Sequence, residues 1–201
     1  MRGWGERAVA LALAVAAIGA SRGVPQPADP VVTLHSGLVR TFAAAGGPSE
    51  PAIEALALKT FDMGAITLAV LGEAGKTATS AQRARLSHVL VQRLARQVAL
   101  AGRQSADDGF GVLGTRSLGG DDWLVTTREL RATTGAPPAA VVLTWRVRRE
   151  GKRFRIVDSL RDGLSTVGVQ HDDFAAALRG RDIDAVIVQI ERRAAAPQPG
   201  L

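Results

Sequence analysis

The spacing of apolar residues changes from four to two about halfway along the chain. Within residues 80–103, an aliphatic side chain recurs at every fourth position from 86 to 98, which predicts a long helix with one apolar face and one basic face. The repeating positions are Leu86, Leu90, Leu94 and Val98. Residues 141–148 instead alternate apolar and polar side chains, which is the period of a strand with one buried face. Helices followed by strands predict an α+β domain.

Four strands are predicted in succession over residues 110–116, 123–130, 141–148 and 154–159. Glycines stand in the connections, and Gly151 is free to adopt the positive φ of a tight hairpin turn. Strands joined by hairpins form an antiparallel sheet. In the last strand, strict alternation places Phe154, Ile156 and Asp158 on one face.

The remaining helices are predicted over residues 31–44, 52–58, 61–71 and 180–193, and Ser80 is the expected N-cap of the long helix. Their apolar faces require a common interior against the sheet. Such an arrangement either closes solidly or leaves an apolar cavity, and the residue pattern leaves both possibilities open.

The N-terminal residues have the organisation of a secretory signal. Arg2 and Arg7 precede an uncharged apolar run over residues 8–18, which is followed by small residues. The run has about half of the roughly 20 residues that a membrane-spanning helix needs. We expect a signal peptide over 1–20, an extended leader over 21–30, a single domain over 31–193 and a flexible tail over 194–201, in an exported soluble protein. A retained amphipathic or buried helix is the alternative.

Composition excludes several classes of protein. The 201-residue chain has no cysteine, which excludes disulfides, thiolate metal sites and a cysteine nucleophile. Its net charge is +6, but the basic residues form no cluster of the kind that nucleic-acid binding requires. Solvated helix and strand faces are the expected role of these charges, and weak attraction to acidic headgroups or an acidic partner is the alternative.

No catalytic or metal-binding motif is present. The chain lacks a phosphate-binding glycine loop, an H-E-x-x-H helix and a G-x-S-x-G turn. His35, His88 and His171 lie far apart and lack metal-ligand spacing. Asp62 and Asp158 lie among apolar neighbours, where a carboxylate acts either as a general base or as an acceptor for backbone N–H groups. We expect no catalytic residue, no metal and no cofactor.

Two stretches of the chain carry a distinctive set of residues. The later stretch has the pattern D-x-x-x-x-G-[VIL]-S at Asp158, Gly163, Leu164 and Ser165, followed by Phe174 and the apolar helix near 183–190. The earlier stretch has Phe61-Asp62, Leu71-Gly72, Thr77 to Thr79 and Gln82-Arg83. In these residues the chain resembles the MlaC, or toluene-tolerance, family of periplasmic phospholipid-binding proteins, and the resemblance extends over about residues 31–190.

The chain departs from the family pattern at three places. Ala74 and Gly75 replace an aromatic pair, and aliphatic residues replace phenylalanines and a tyrosine along the long helix. Residues 169–171 lack the arginine of the family's N-Y-R segment. These changes remove bulk or charge where acyl chains and headgroups would be held.

The resemblance implies a curved four-stranded sheet packed against amphipathic helices around an apolar cavity, an NTF2-like or MlaC-like fold. It also implies a periplasmic lipid carrier and not an enzyme. The implied partners are a phospholipid, a membrane-bound ABC lipid-transport complex, an outer-membrane partner and a membrane in transient contact, but no nucleic acid. The implied lining residues are Ile66, Val70, Leu90, Leu94, Val98, Trp145, Val147, Phe154, Ile156, Leu164, Val167 and Phe174.

In the same family pattern, Asp158, Gly163 and Ser165 hold the corner between the last strand and the C-terminal helices. Three alternatives to a phospholipid carrier remain open. The first is a carrier of hopanoids or other polycyclic lipids, and the second is a periplasmic adaptor that binds partners without lipid. The third is a small enzyme that uses Asp62 or Asp158.

Overall fold

The computed structural model describes residues 24–44, 48–102, 109–133 and 136–195, so the predicted signal peptide and most of the predicted tail lie outside the described residues. Helices precede an antiparallel sheet and two helices follow it, which confirms the predicted α+β class. The helices are α1 (Asp29–Ala43), α2 (Glu50–Thr60), α3 (Met63–Leu71), α4 (Ser80–Gly102), α5 (Thr166–Leu178) and α6 (Ile183–Ala195). A short 3₁₀ helix, Gly72–Lys76, connects α3 to α4. None of the described helices is long and apolar enough to cross a membrane.

The strands pair in sequence order in one antiparallel sheet. They are β1 (Gly111–Gly119), β2 (Asp122–Thr133), β3 (Ala136–Glu150), β4 (Arg153–Arg161) and β5 (Leu164–Ser165). The first four correspond to the predicted strands, and each extends beyond at least one of its predicted ends. The additional strand β5 forms after a tight turn at Asp162 and Gly163, whose φ angles are 52° and 80°. Gly151 has the expected positive φ of 58°.

The sheet has two faces of different character. On the inner face, Val125 and Val147 have no exposed surface, and Trp145 is 9% exposed because these side chains pack against the helices. On the outer face, which carries the alternate residues such as Val142 and Arg146, side chains are exposed or half-buried. At the edge, β1 contains no buried residue.

The prediction that Ile156 and Asp158 share one face is wrong. Ile156 pairs with Val147, whereas Asp158 pairs with Arg146, so Val157 is an extra residue in β4. Such a bulge moves all later side chains to the opposite face. Asp158 therefore lies on the outer face, and Ile156 remains on the inner face.

Helix α4 packs against α2, α3 and α6 through its aliphatic face, as the four-residue spacing predicts. Its N-cap is Thr79 and not the predicted Ser80. Thr79 Oγ1 accepts the Gln82 N–H at 3.1 Å, and the Gln82 side chain accepts the Thr79 N–H at 2.9 Å. This reciprocal capping box requires positions i and i+3, and only Thr79 satisfies that spacing with Gln82.

Candidate functional site

The apolar interior between the inner face and helices α3, α4 and α5 contains most of the side chains predicted to line a pocket. Seven of them are buried in one contiguous cluster: Ile66, Val70, Leu90, Trp145, Val147, Ile156 and Phe174. Three more are partly buried and pack against it: Leu94, Phe154 and Val167. The structure thus brings ten of the twelve predicted lining residues together.

The other two predicted lining residues lie apart from this cluster. Val98 is half-buried near the C-terminal end of α4. Leu164 is 66% exposed in β5, directly after the turn at Asp162 and Gly163. The interior also contains buried apolar residues that were not predicted as lining residues: Met63, Leu71, Leu86, Val91, Val186 and Ile187. They occupy ordinary helical core positions, so periodicity alone did not separate them from pocket residues.

Polar groups in this interior are few and satisfied. Among the described residues, the buried polar side chains are three threonines. The hydroxyls of Thr60 and Thr67 bond to carbonyls four residues earlier in their own helices, at 2.8 and 2.6 Å. On the inner face, Trp145 Nε1 donates to Thr127 Oγ1 at 2.9 Å. An interior of this kind accommodates apolar groups, and the described residues place no buried charged group in it.

Two aromatic rings of the interior meet at its sheet side. Phe61 and Trp145 meet edge to face, with ring centroids 6.5 Å apart. The Phe61 backbone bridges to Ile156 at the free edge of β4, and the Asp62 N–H donates to the Ile156 carbonyl at 2.9 Å. This contact joins the start of α3 to the sheet and fixes the position of its apolar side chains.

Both aspartates considered as general bases are occupied by hydrogen bonds that hold helix starts. Asp62 Oδ1 accepts the Ala65 N–H at 2.9 Å and caps α3. Asp158 Oδ1 accepts the Val167 N–H at 3.0 Å at the start of α5, and its Oδ2 accepts the Ser165 hydroxyl at 2.5 Å. Ser165 Oγ in turn accepts the Gly168 N–H at 2.8 Å. This geometry favours a structural role for both carboxylates over proton transfer.

The histidines lie in three separate environments. His35 stacks on Phe110 with centroids 3.9 Å apart, and His88 bonds to the Gln92 side chain at 3.2 Å. His171 Nδ1 donates a hydrogen bond to the Val70 carbonyl at 3.1 Å. Within the described part of the chain, no group of three or more histidine, aspartate or glutamate side chains is arranged to hold a metal ion.

A cleft of about 460 Å³ lies between α1 and α2 and contains none of the predicted lining residues. The two helices approach closely because Gly37 has no side chain, and a Cβ there would overlap Leu56. Arg40 and Lys59 are exposed on its walls. The sequence signal for this close approach is one glycine within an otherwise helical segment.

The sequence patterns also did not predict an ion triad on the outer face, which consists of Asp122, Arg146 and Arg148. Asp122 accepts from Arg146 at 2.7 Å and from Arg148 at 2.9 Å. The hydrogen bond from Arg148, and then that from Arg146, hold the pKa of Asp122 below its ordinary value, against the opposing effect of partial burial. The two arginines lie two residues apart on one strand, but their partner becomes identifiable only once the β2–β3 register is known.

Comparisons with known proteins agree with this architecture. A family model described as MlaC protein matches residues 49–192. A phospholipid-binding protein from Ralstonia solanacearum, solved in complex with a phospholipid, has a similar structure with a TM-score of 0.65. The alignment covers 84% of this chain and 97% of that one at 18% identity, so the likeness establishes the shared fold. A search of curated proteins found no match.

Proposed function

Because the chain belongs to the MlaC family, we propose that it is a periplasmic lipid carrier that holds the acyl chains of a phospholipid in its apolar interior. The carrier passes its lipid between membrane transport complexes, namely an ABC lipid-transport complex and an outer-membrane partner. Export depends on the predicted signal peptide over residues 1–20. The supporting observation is the cluster of ten predicted lining residues between the sheet and helices α3, α4 and α5.

The chemistry of this interior suits acyl chains. Its side chains are aliphatic or aromatic, and each methylene moved out of water favours binding by about 0.8 kcal/mol. An acyl chain that enters the cluster replaces contacts between side chains with equivalent dispersion contacts. The interior has no buried charged side chain among the described residues, so the phospholipid headgroup stays at the water-exposed mouth of the site.

Transfer by such a carrier is passive. The lipid moves to whichever complex or membrane binds it more tightly, and no covalent step is required. The hydrogen bonds of Asp62 and Asp158 agree with this mechanism, because both carboxylates hold the start of a helix.

Native mass spectrometry of the mature protein, purified from its own cell envelope, tests the proposal. We expect about one lipid per chain, and extraction identifies it. A phospholipid supports the proposal as stated, whereas a hopanoid or other polycyclic lipid keeps the carrier role and changes its cargo. A lipid-free mass that does not change after incubation with liposomes contradicts the carrier role and favours a lipid-free adaptor.

A further inference from the structure

The outer face of the sheet carries an excess of positive charge. Cross-strand pairing assigns six arginines to this face: Arg116, Arg128, Arg146, Arg148, Arg153 and Arg155. It assigns three acidic residues to the same face: Asp122, Glu150 and Asp158. The face therefore has three more positive than negative side chains, distributed over all four long strands.

The acidic residues on this face are already engaged. Asp122 is held by Arg146 and Arg148, and Asp158 is held by Ser165 and backbone N–H groups. Glu150 lies 3.4 Å from Arg155. Arg116, Arg128 and Arg153 are exposed and have no ion-pair or hydrogen-bond partner among the described residues. Three guanidinium groups are thus available for an external anion.

The outer face is open, and its described residues include no aromatic ring. Val142 is 49% exposed, and Leu124, Thr126 and Thr144 are half-buried between the arginines. The tryptophans of β2 and β3, Trp123 and Trp145, both belong to the inner face by their pairing. Single-stranded nucleic acids bind on aromatic stacking platforms, and no such platform is present on this part of the described chain.

We propose that the outer face docks the protein on a membrane that contains anionic phospholipids. This deepens the proposed function by naming the surface that meets the membrane, but it does not depend on lipid being held in the interior. A guanidinium group can donate two parallel hydrogen bonds to the oxygens of one phosphate. Several such groups are spread over one exposed face of the sheet, so they can contact several phospholipid headgroups of a membrane surface at once. A second copy of the chain is disfavoured because it would bring two positively charged faces together.

Sedimentation with vesicles tests this surface. The mature protein is mixed with vesicles of phosphatidylcholine alone or with added phosphatidylglycerol, at low and high salt. We expect binding to the anionic vesicles that weakens as salt increases. Each basic residue near an anionic surface strengthens binding about fivefold, so Arg116→Glu with Arg128→Glu lowers the vesicle affinity at least tenfold.

The matched control is the double variant Arg93→Glu with Arg179→Glu, at two exposed arginines outside the sheet. It changes the net charge by the same amount as Arg116→Glu with Arg128→Glu. We expect this control to lower vesicle affinity less than threefold. Equal losses in both double variants would overturn the proposal, since they indicate attraction by net charge alone. Failure of the unaltered protein to bind anionic vesicles overturns it as well and leaves an acidic protein as the occupant.

Asp122→Asn should change the affinity for anionic vesicles in the opposite direction. It removes one negative charge and leaves Arg146 and Arg148 uncompensated, so we expect about fivefold tighter binding to anionic vesicles. Unchanged or weaker binding contradicts docking through this face.

The lipid content of each variant, measured by native mass spectrometry, separates the docking proposal from the carrier proposal. If the unaltered protein holds lipid but does not bind vesicles, only the docking proposal is contradicted. If it binds vesicles but holds no lipid, only the carrier proposal is contradicted.

Discussion

Asp158 and Ser165 face each other across the turn between β4 and β5, with Ser165 Oγ 2.5 Å from Asp158 Oδ2. The same serine accepts the Gly168 N–H, and the same aspartate accepts the Val167 N–H. Two side chains therefore satisfy two of the backbone N–H groups that the first turn of α5 leaves unpaired. The end of the sheet and the start of α5 are coupled through this pair.

Asp158→Ala should destabilise the protein by about 1–3 kcal/mol, because the Val167 N–H and the Ser165 hydroxyl lose their acceptor in a partly buried site. Urea unfolding followed by circular dichroism measures the change. The control is Asp173→Ala on the exposed side of α5, which should shift stability by less than about 0.5 kcal/mol. Equal effects of the two substitutions would show that the corner bonds contribute nothing specific.

Gly72→Ala should destabilise the protein by roughly 1–3 kcal/mol, because Gly72 has φ 53° and ψ −128° and an added Cβ would overlap the His171 ring. The thermal unfolding midpoint reports the change. Gly114→Ala is the matched control, since a Cβ there meets nothing within 4 Å. A neutral Gly72→Ala would mean that α3 and α5 separate at this point without cost.

The ion triad of Asp122 should make stability fall at acidic pH. Its folded-state pKa lies below the unfolded value of about 3.9, so the folded protein binds fewer protons than the unfolded chain. The contribution of the ionised Asp122 to the free energy of unfolding is complete above about pH 4. It is lost as pH falls through the folded-state pKa of Asp122. Urea midpoints measured from pH 6 to pH 2 should show a shallower acid-side decline for Asp122→Asn than for the unaltered protein. Identical declines would assign the acid sensitivity to other carboxylates.

Leu94→Glu should reduce the amount of co-purified lipid at least tenfold. Leu94 packs against the interior cluster from α4, where a carboxylate next to acyl chains is costly. The control is Leu68→Glu, since Leu68 is 48% exposed on α3. Lipid is quantified by extraction, and circular dichroism establishes that both variants are folded. Lipid content that falls equally in both variants would place the lipid outside the interior.

Periodicity predicted most of the fold because helices and strands with one buried face repeat their apolar residues at fixed intervals. The bulge at Val157 was not predictable in this way, since an extra residue in a strand leaves the neighbouring composition unchanged. The same difficulty applies to β5, whose two residues pair only because Asp162 and Gly163 turn the chain back. Alternation along a strand identifies the faces of that strand up to the first irregularity.

The candidate site was predictable to the extent that it consists of core positions. Ten of the lining residues meet because each lies on the apolar side of its own helix or strand. Leu164 is as apolar as the other predicted lining residues, but it follows a turn. Its 66% exposure depends on the direction of that turn. The charges of the outer face form a surface only when β1, β2, β3 and β4 are aligned, so this surface required knowledge of the register.

Strand β1 has backbone pairing on one side only and no buried side chain, and its pairing with β2 shifts register twice. Its attachment therefore depends on backbone hydrogen bonds with almost no apolar burial, so it opens at a lower free energy than β2, β3 or β4. Its amide hydrogens should exchange with solvent first among those of the long strands. The sheet thus combines three firmly held strands with one edge strand that opens easily, and Arg116 of the proposed docking surface lies on that edge strand.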